Sequence, residues 1–530
     1  MKSTKKVGLS MKLRKTLLIV PTLIASISLS GCSIIRNILS NFFNKENIAL
    51  VTLDKSPLEY TYKEYNEHNL YNIDNCPLEG SPKLLVVPVW FTDSSNYISS
   101  SEKSRVRNDI EKAYFGSSSD TGWRSVSSYY HELSQGKLDL TGVVTDWYSC
   151  GYSSKSFYDG ETGMNNTCLL VSQAVEWYKS YSGNIKMSDF DLDKNGYLDG
   201  VMLIYAAPDG RASSNDAAEN MWAYCYWLQE VNENLNKPIP NVFFWASYDF
   251  MYGSNSGVGS YFGGDTNYAR LDTHTFIHEM GHVLGLEDYY DYSDTCCPSA
   301  GFSMQDYNVG SHDPYSTMAF GWVNPIIPTE TCKIKIKPFQ DKGHDLILLS
   351  SSSNVFSPFD EYLLLELYTP TGLNAFDSEH ALFGRYPKGP NKAGIRLWHV
   401  DARLTYATGD NSYSHNLVSD IQENKRYTHA MKNTSWTSND KTNVYCSILG
   451  QDYAKYDLLH LIRNNKRVSY KTNTTLAPSD LFVAGSSFSM DDYKSQFANG
   501  NKLDSNESLC WSFKVNSVSS SEATITLYKK

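Results

Sequence analysis

The stretch HTFIHEMGHVLGLEDYYD, residues 274–291, decides how the chain is read. It opens with helix-forming and apolar residues, and it places His278 and His282 four positions apart. On a helix, positions i and i+4 lie on one face, so both imidazoles can reach a single ion. Glu279 stands beside them and fits the part of a proton carrier rather than a ligand. Two imidazoles suit zinc, which brings no redox chemistry of its own.

The bare H-E-x-x-H pattern recurs by chance, and the neighbouring residues narrow it. Gly285 falls three residues after His282, where a helix can end through a left-handed residue. Asp288 falls three further on, so a sharp turn can deliver a third ligand. A catalytic zinc site needs three protein ligands and one open position, and His278, His282 and Asp288 supply them. Glu287 and Asp291 are rival third ligands; spacing favours Asp288. His274, one turn before His278, reads as a polar helix residue or a partner behind the site. The blander alternative is a helix carrying two surface histidines and a terminal glycine.

At 530 residues the chain has room for several domains, and 41% hydrophobic with 20% charged residues describes a globular protein. The formal net charge of -11 argues against nucleic acid as the main partner. Near the N-terminus, Lys12, Arg14 and Lys15 precede the apolar run TLLIVPTLIASISLS, as in an export signal. LSGC, ending at Cys32, resembles a bacterial lipobox, which implies a lipid on Cys32 and a place on the outer face of a bacterial cell membrane. An ordinary secretory signal is the alternative. Nine of the ten cysteines lie beyond Cys32, at spacings that fix no disulfide connectivity.

Residues 1–31 read as the signal and 32–80 as a tether or short pro-region. From Lys83, KLLVVPVWFTD is a buried-strand run, followed by helical spacing in SRVRNDIEKAYFG and SVSSYYHELSQG and in NNTCLLVSQAVEWYKSY. GVMLIYAA is a further strand. Past Asn324 the pattern turns to strands: CKIKIKP, EYLLLELYT, GIRLWHVD, and a C-terminal hairpin with Trp511, Phe513 and Val515 facing Ala523, Ile525 and Leu527. In GIRLWHVD, His399 and Asp401 read as a structural hydrogen-bonded pair. An edge strand within NVFFWASYDF is expected to pair with an extended substrate.

DFDLDKNGYLDG places Asp189, Asp191, Asp193, Asn195 and Asp199 around Gly196, alternating oxygen ligands with a glycine at the bend. That suits calcium, although Met202 stands where an EF-hand would carry its bidentate glutamate. A compact structural calcium loop is the expectation, with a solvated acidic turn as the alternative.

HEMGHVLGLED resembles the extended motif of the immune inhibitor A family of bacterial zinc metallopeptidases. LLVVPVWFTD, SVSSYYHELSQGKLDLTGVVTDWY, DFDLDKNGYLDGVMLIYA, GFSMQDYNVGSHDPYSTMAFGWVNP, EYLLLELYTPTG and GIRLWHVDARL resemble its other blocks, in order over most of residues 81–404. The resemblance implies a metzincin-like turn methionine at Met304. Tyr307, three residues on, reads as a packed tyrosine, or as a donor to an oxyanion.

The expected fold is α+β: a zincin-like catalytic domain over 81–326, then a β-rich region over 327–530, sandwich-like or jelly-roll-like, in one or two subdomains. The expected function is that of a lipid-anchored, monomeric zinc endopeptidase acting on protein or peptide substrates. A metal-activated water would attack the peptide bond, with Glu279 as general base and acid. The alternative is a non-catalytic surface-binding lipoprotein with the same fold.

Overall fold

A computed structural model describes residues 48–71, 73–181, 183, 185–210, 220–252, 271–292, 297–340, 344–351, 357–380, 387–409, 412–433, 456–468 and 474–530. The signal and Cys32 lie outside these residues. The architecture is α+β, and the β-rich half forms a sandwich.

The first half is built on a mixed sheet. β1 (Lys83–Trp90) lies inside it, flanked by β2 (Thr141–Val144) and β3 (Val201–Tyr205), both parallel to it. β4 (Tyr224–Trp227) and β5 (Val242–Ser247) extend the sheet in the order β2-β1-β3-β5-β4, and β4 alone among these five runs antiparallel. The short strand Tyr148–Ser149 also pairs with β1. The unbroken apolar run of β1 follows from burial on both faces. Leu84 and Val86 point into one core, Leu85, Val87 and Val89 into another.

Helices cover each face. α1 (Lys103–Phe115) buries Val106, Ile110, Ala113 and Tyr114, and α2 (Val126–Leu133) buries Val126, Tyr129, Tyr130 and Leu133. These are helical stripes of the kind that seat on a sheet. α3 (Gly160–Tyr181) covers the opposite face through Leu170, Val171, Ala174 and Val175. α4 (His274–Val283) lies on the α1–α2 side, with Phe276 set edge-on to Phe244 of β5 at 5.6 Å. β5 is therefore not the edge strand expected within NVFFWASYDF. It is buried throughout and paired on both sides, and among the described residues the edge on that side belongs to β4.

In the second half, β6 (Cys332–Ile336), β11 (Trp511–Val518) and β12 (Ala523–Lys529) form one sheet with the short strands Leu50–Val51 and Ser487–Phe488. It faces a second sheet of β7 (Leu346–Leu349), β8 (Glu361–Tyr368), β9 (Gly394–Asp401) and β10 (Leu459–Ile462), in the order β10-β9-β8-β7. Alternation in β6 buries Cys332, Ile334 and Ile336 and leaves Lys333 and Lys335 outward. The C-terminal hairpin pairs Phe513 with Leu527 and Val515 with Ile525. A register shift after Val515 then sets Val518 opposite Ala523.

The β7–β10 sheet is buried on both faces. Leu363, Leu365 and Leu397 point into the sandwich; Tyr362, Leu364, Trp398 and Val400 join the core shared with α4. The two halves thus pack through one continuous apolar body.

Residues 48–80 do not behave as a tether over their described part. Thr61 caps the helix Tyr62–Glu67 in a reciprocal box with Glu64, and Tyr62 and Tyr65 are buried. Leu50 and Val51 pair with Lys333 and Ile334, and the Cys76 amide donates to Val283 O at 2.9 Å. Paired tyrosines at helical spacing behind a capping box give the segment its own reason to fold and dock.

Candidate metal centre

α4 presents His278 and His282 as neighbours, and the chain then turns sharply. Gly285 takes φ +110°, and the Leu286 amide reaches back to Gly281 O at 3.0 Å. A Cβ on Gly285 would also meet Asn66 Oδ1 at 2.8 Å and Asn75 Nδ2 at 2.9 Å. Conformation and space both require glycine there. The turn returns Asp288 under the helix: its Oδ1 lies 3.0 Å from His278 Nε2 and 3.2 Å from His282 Nε2, and the two Nε2 atoms are 3.1 Å apart.

The tautomers follow from the other ring nitrogens. His278 Nδ1 donates to Met304 O at 2.7 Å, and His282 Nδ1 donates to Leu286 O at 2.8 Å. With both Nδ1 atoms protonated, each neutral ring turns a lone pair toward the other and toward Asp288 Oδ1. That oxygen is buried and has no hydrogen-bond partner. Three ligand atoms converging on one point favour a positive charge there, carried by a proton on His282 or by a metal ion that displaces it. Tetrahedral zinc sets its nitrogen and oxygen ligands about 3.3 Å apart, close to the triangle found here. The donor set therefore fits zinc. Asp288 Oδ2 accepts the Tyr292 hydroxyl at 2.6 Å, which fixes the carboxylate's rotation.

The perturbations of these groups show that the cluster favours positive charge, which a metal would supply in place of the proton on His282. Burial works against the His282 imidazolium, but Asp288 more than offsets it and raises the group to about 9. Burial would raise Asp288, yet His282 and His278 hold it well below the ordinary carboxylate range. Glu279 is shifted upward, chiefly by burial, against the pull of both histidines. Its Oε2 is buried without a partner. Burial, and then the charge of Glu279, push the Cys225 thiol of β4 upward, and β4 packs against α4.

Other sequence candidates fall around the cluster. Met304 is fully buried and contributes its carbonyl to His278. Glu287 turns away to Lys432 Nζ at 2.9 Å. Tyr307 packs on Gly301, and its hydroxyl lies 3.4 Å from Cys297 Sγ. The tyrosines beside the ligands are instead Tyr292 and Tyr290, the latter with its ring 6.4 Å from that of His278. Tyr290 sits in the quoted stretch, two residues past Asp288, and Tyr292 follows just beyond its end. His312 meets the Tyr130 hydroxyl at 3.2 Å, and Asp313 caps the helix Pro314–Ala319. Gln305 was not foreseen: its side chain crosses α4 at Gly281, where a Cβ would sit 2.3 Å from Gln305 Oε1. The glycine inside HEMGH was the available signal.

In the acidic loop, Asp191 accepts the amides of Asn195 and Gly196, each at 3.1 Å. Asp193 accepts the Asn195 amide at 3.3 Å, and Asn195 Oδ1 the Tyr197 amide at 2.8 Å. Asp199 holds the amides of Leu192 and Lys83, tying the loop to the start of β1. Asp189 is exposed on the turn Met187–Phe190. His399 and Asp401 do not bond as a pair: His399 Nε2 meets Glu361 Oε1 at 2.8 Å, and Asp401 binds Arg403. Positions i and i+2 share a strand face, but each reaches sideways to a different partner.

No family model matches the chain. Over 220 residues, 37% of its length, it is 23% identical to the pre-pro-metalloprotease PrtV of Vibrio cholerae serotype O1, in strain M66-2 and in strain ATCC 39315 / El Tor Inaba N16961. The match spans 22% of those relatives. This distant likeness relates the chain to metalloproteases, a class whose activity requires a metal.

Proposed function

We propose that the chain is a zinc endopeptidase of the immune inhibitor A type, with a zincin-like catalytic half. The carrying observation is the convergence of His278 Nε2, His282 Nε2 and Asp288 Oδ1 at 3.0–3.2 Å, beside a buried carboxylate with an unpartnered oxygen. His278, His282 and Asp288 would hold the ion. Bound zinc supplies Lewis acidity to a water and to the scissile carbonyl. Glu279 takes a proton from the attacking water and passes it to the leaving amine. Its upward shift suits this shuttle, since a carboxylate nearer neutrality both accepts and returns a proton.

An extended substrate lies along the outer edge of β4, which packs against α4 and has no further strand beyond it among the described residues. The acidic loop binds calcium through Asp191, Asp193, Asn195 and Asp199. Cys32 carries the lipid that would hold the enzyme at the bacterial cell surface; no helix among the described residues is long and apolar enough to cross a membrane.

The test is digestion of a denatured protein mixture by the chain starting after Cys32, beside Glu279→Ala, with zinc measured in both. Cleavage by the unsubstituted protein alone, with zinc in both, is expected. Zinc without cleavage in either would favour the binding lipoprotein, and a folded protein without zinc would end the metal reading.

A further inference from the structure

The β7–β10 sheet carries a second group of ionisable side chains, remote in sequence from α4. Across β8 and β9, Glu361 pairs with Asp401, and across β9 and β10, His399 pairs with His460. Alternation sends all four to the face that lines the sandwich, and all four are buried. The segment around Asp504 closes over them. Its amide donates to Glu361 Oε1 at 2.5 Å, and the Ser505 amide donates to Oε2 at 2.9 Å. Glu361, His399 and Asp504 each bring a ligand atom to within 4.8 Å of the other two.

Hydrogen bonding orients the histidine. His460 Nε2 lies 3.0 Å from Gln496 O and must carry a proton to bond it. Neutral His460 then offers a lone pair at Nδ1, 3.3 Å from His399 Nδ1. His399 therefore donates through Nδ1, and its Nε2 is aimed at Glu361 Oε1. A ring fixed through its far nitrogen by a further acceptor is the usual arrangement of a metal-bound histidine. The surrounding carboxylates favour a positive charge at this point. Glu361, Asp401 and Asp504 are three carboxylates, and Arg403 is the cation bound among them, paired to Asp401 at 2.7 Å and 3.6 Å from Glu361 Oε2. Without an ion, a proton on His399 Nε2 bridges to Glu361 Oε1 in a buried space beside Phe497, whose ring lies 5.3 Å from that of His399. A divalent cation would take that proton's place and leave His399 neutral.

We propose that Glu361, His399 and Asp504 form a second divalent-metal site, separate from the α4 centre, that fastens the Asp504 segment onto the sandwich. One nitrogen with carboxylate oxygens suits zinc or manganese. Accepting the ion requires the Glu361–His399 contact to open by a few tenths of an ångström from hydrogen-bond distance toward coordination spacing.

The test uses the full chain with His278→Ala and His282→Ala, which removes the first site, dialysed against zinc chloride and then zinc-free buffer. About one zinc per chain is expected to remain, with X-ray absorption showing one imidazole among oxygen ligands. Adding Asp504→Asn should release that zinc. A folded double variant without zinc overturns the proposal, as does zinc unaffected by Asp504→Asn. If Asp504→Asn fails to fold, the absorption spectrum decides: a shell with two or more imidazoles, or none, also overturns it. These readouts need no peptidase activity, so failure of the endopeptidase reading would be seen separately, as an inert unsubstituted chain.

Discussion

His274 lies flat against Trp123, ring centroids 4.2 Å apart and planes 6° from parallel. The imidazole is fully buried, with Asp272 Oδ1 at 2.8 Å and Asp377 Oδ2 at 3.2 Å. A cation stacked on indole between two carboxylates anchors the first turn of α4, one turn ahead of the metal cluster.

That arrangement sets a pH dependence. Burial opposes the His274 imidazolium, but Asp377 and then Asp272 raise it from 6.5 to about 10. The folded protein therefore holds a proton that the unfolded chain releases between these values. Stability from this group is complete below about pH 6.5 and is lost as pH rises toward 10. Thermal melting of the unsubstituted chain should fall over this window, and His274→Gln should flatten the decline. An equal decline in both would refute it.

Glu279→Gln should lower turnover by about 10²–10⁴-fold while leaving zinc content unchanged. Parallel steady-state kinetics and metal analysis check this. Loss of zinc together with activity would make Glu279 a ligand or a structural residue instead.

Tyr292→Phe removes the hydroxyl that holds Asp288 Oδ2. Zinc affinity should drop by about 10–100-fold, measured by competition with a chelator. An unchanged affinity would mean that the turn alone fixes Asp288.

Gly285→Ala combines a positive φ with a clash against Asn66 and Asn75. It should cost about 1–3 kcal/mol in denaturant unfolding and weaken zinc retention, because Asp288 follows directly on this turn. A variant as stable as its parent would show the turn to be plastic.

Burial raises Asp199 to about 7, with Asp193 raised to about 6. Folding therefore favours their protonated forms, and stability should decline as pH climbs from about 4 through 7. Calcium should reverse the decline, raising the melting temperature at pH 8 more than at pH 5. No calcium effect at pH 8 would dismiss the loop as a binding site.

Much of this was legible locally. The spacing of His278 and His282, the break at Gly285 and the return of Asp288 are all set within eleven consecutive residues. The hairpin of Phe513 and Val515 against Leu527 and Ile525 follows from period-two alternation. Partners brought together by topology were not legible. Asp377 reaches His274 across 103 positions, and Glu361, not Asp401, takes His399. The edge was misassigned because the apolar run of β5 outshone the half-exposed YCYW of β4. In a sheet, neighbours rather than hydrophobicity decide which strand stays open.

The docking of residues 48–80 has a consequence in time. The Cys76 amide holds Val283 at the end of α4, while the Leu70 amide binds Tyr427 O at 2.6 Å and Leu50–Val51 pair with Lys333–Ile334. A ribosome must deliver some 350 residues past Leu70 before all three contacts can close. Contacts so distant in sequence form late. The metal cluster of a nascent chain would therefore lack this support until Tyr427 had emerged.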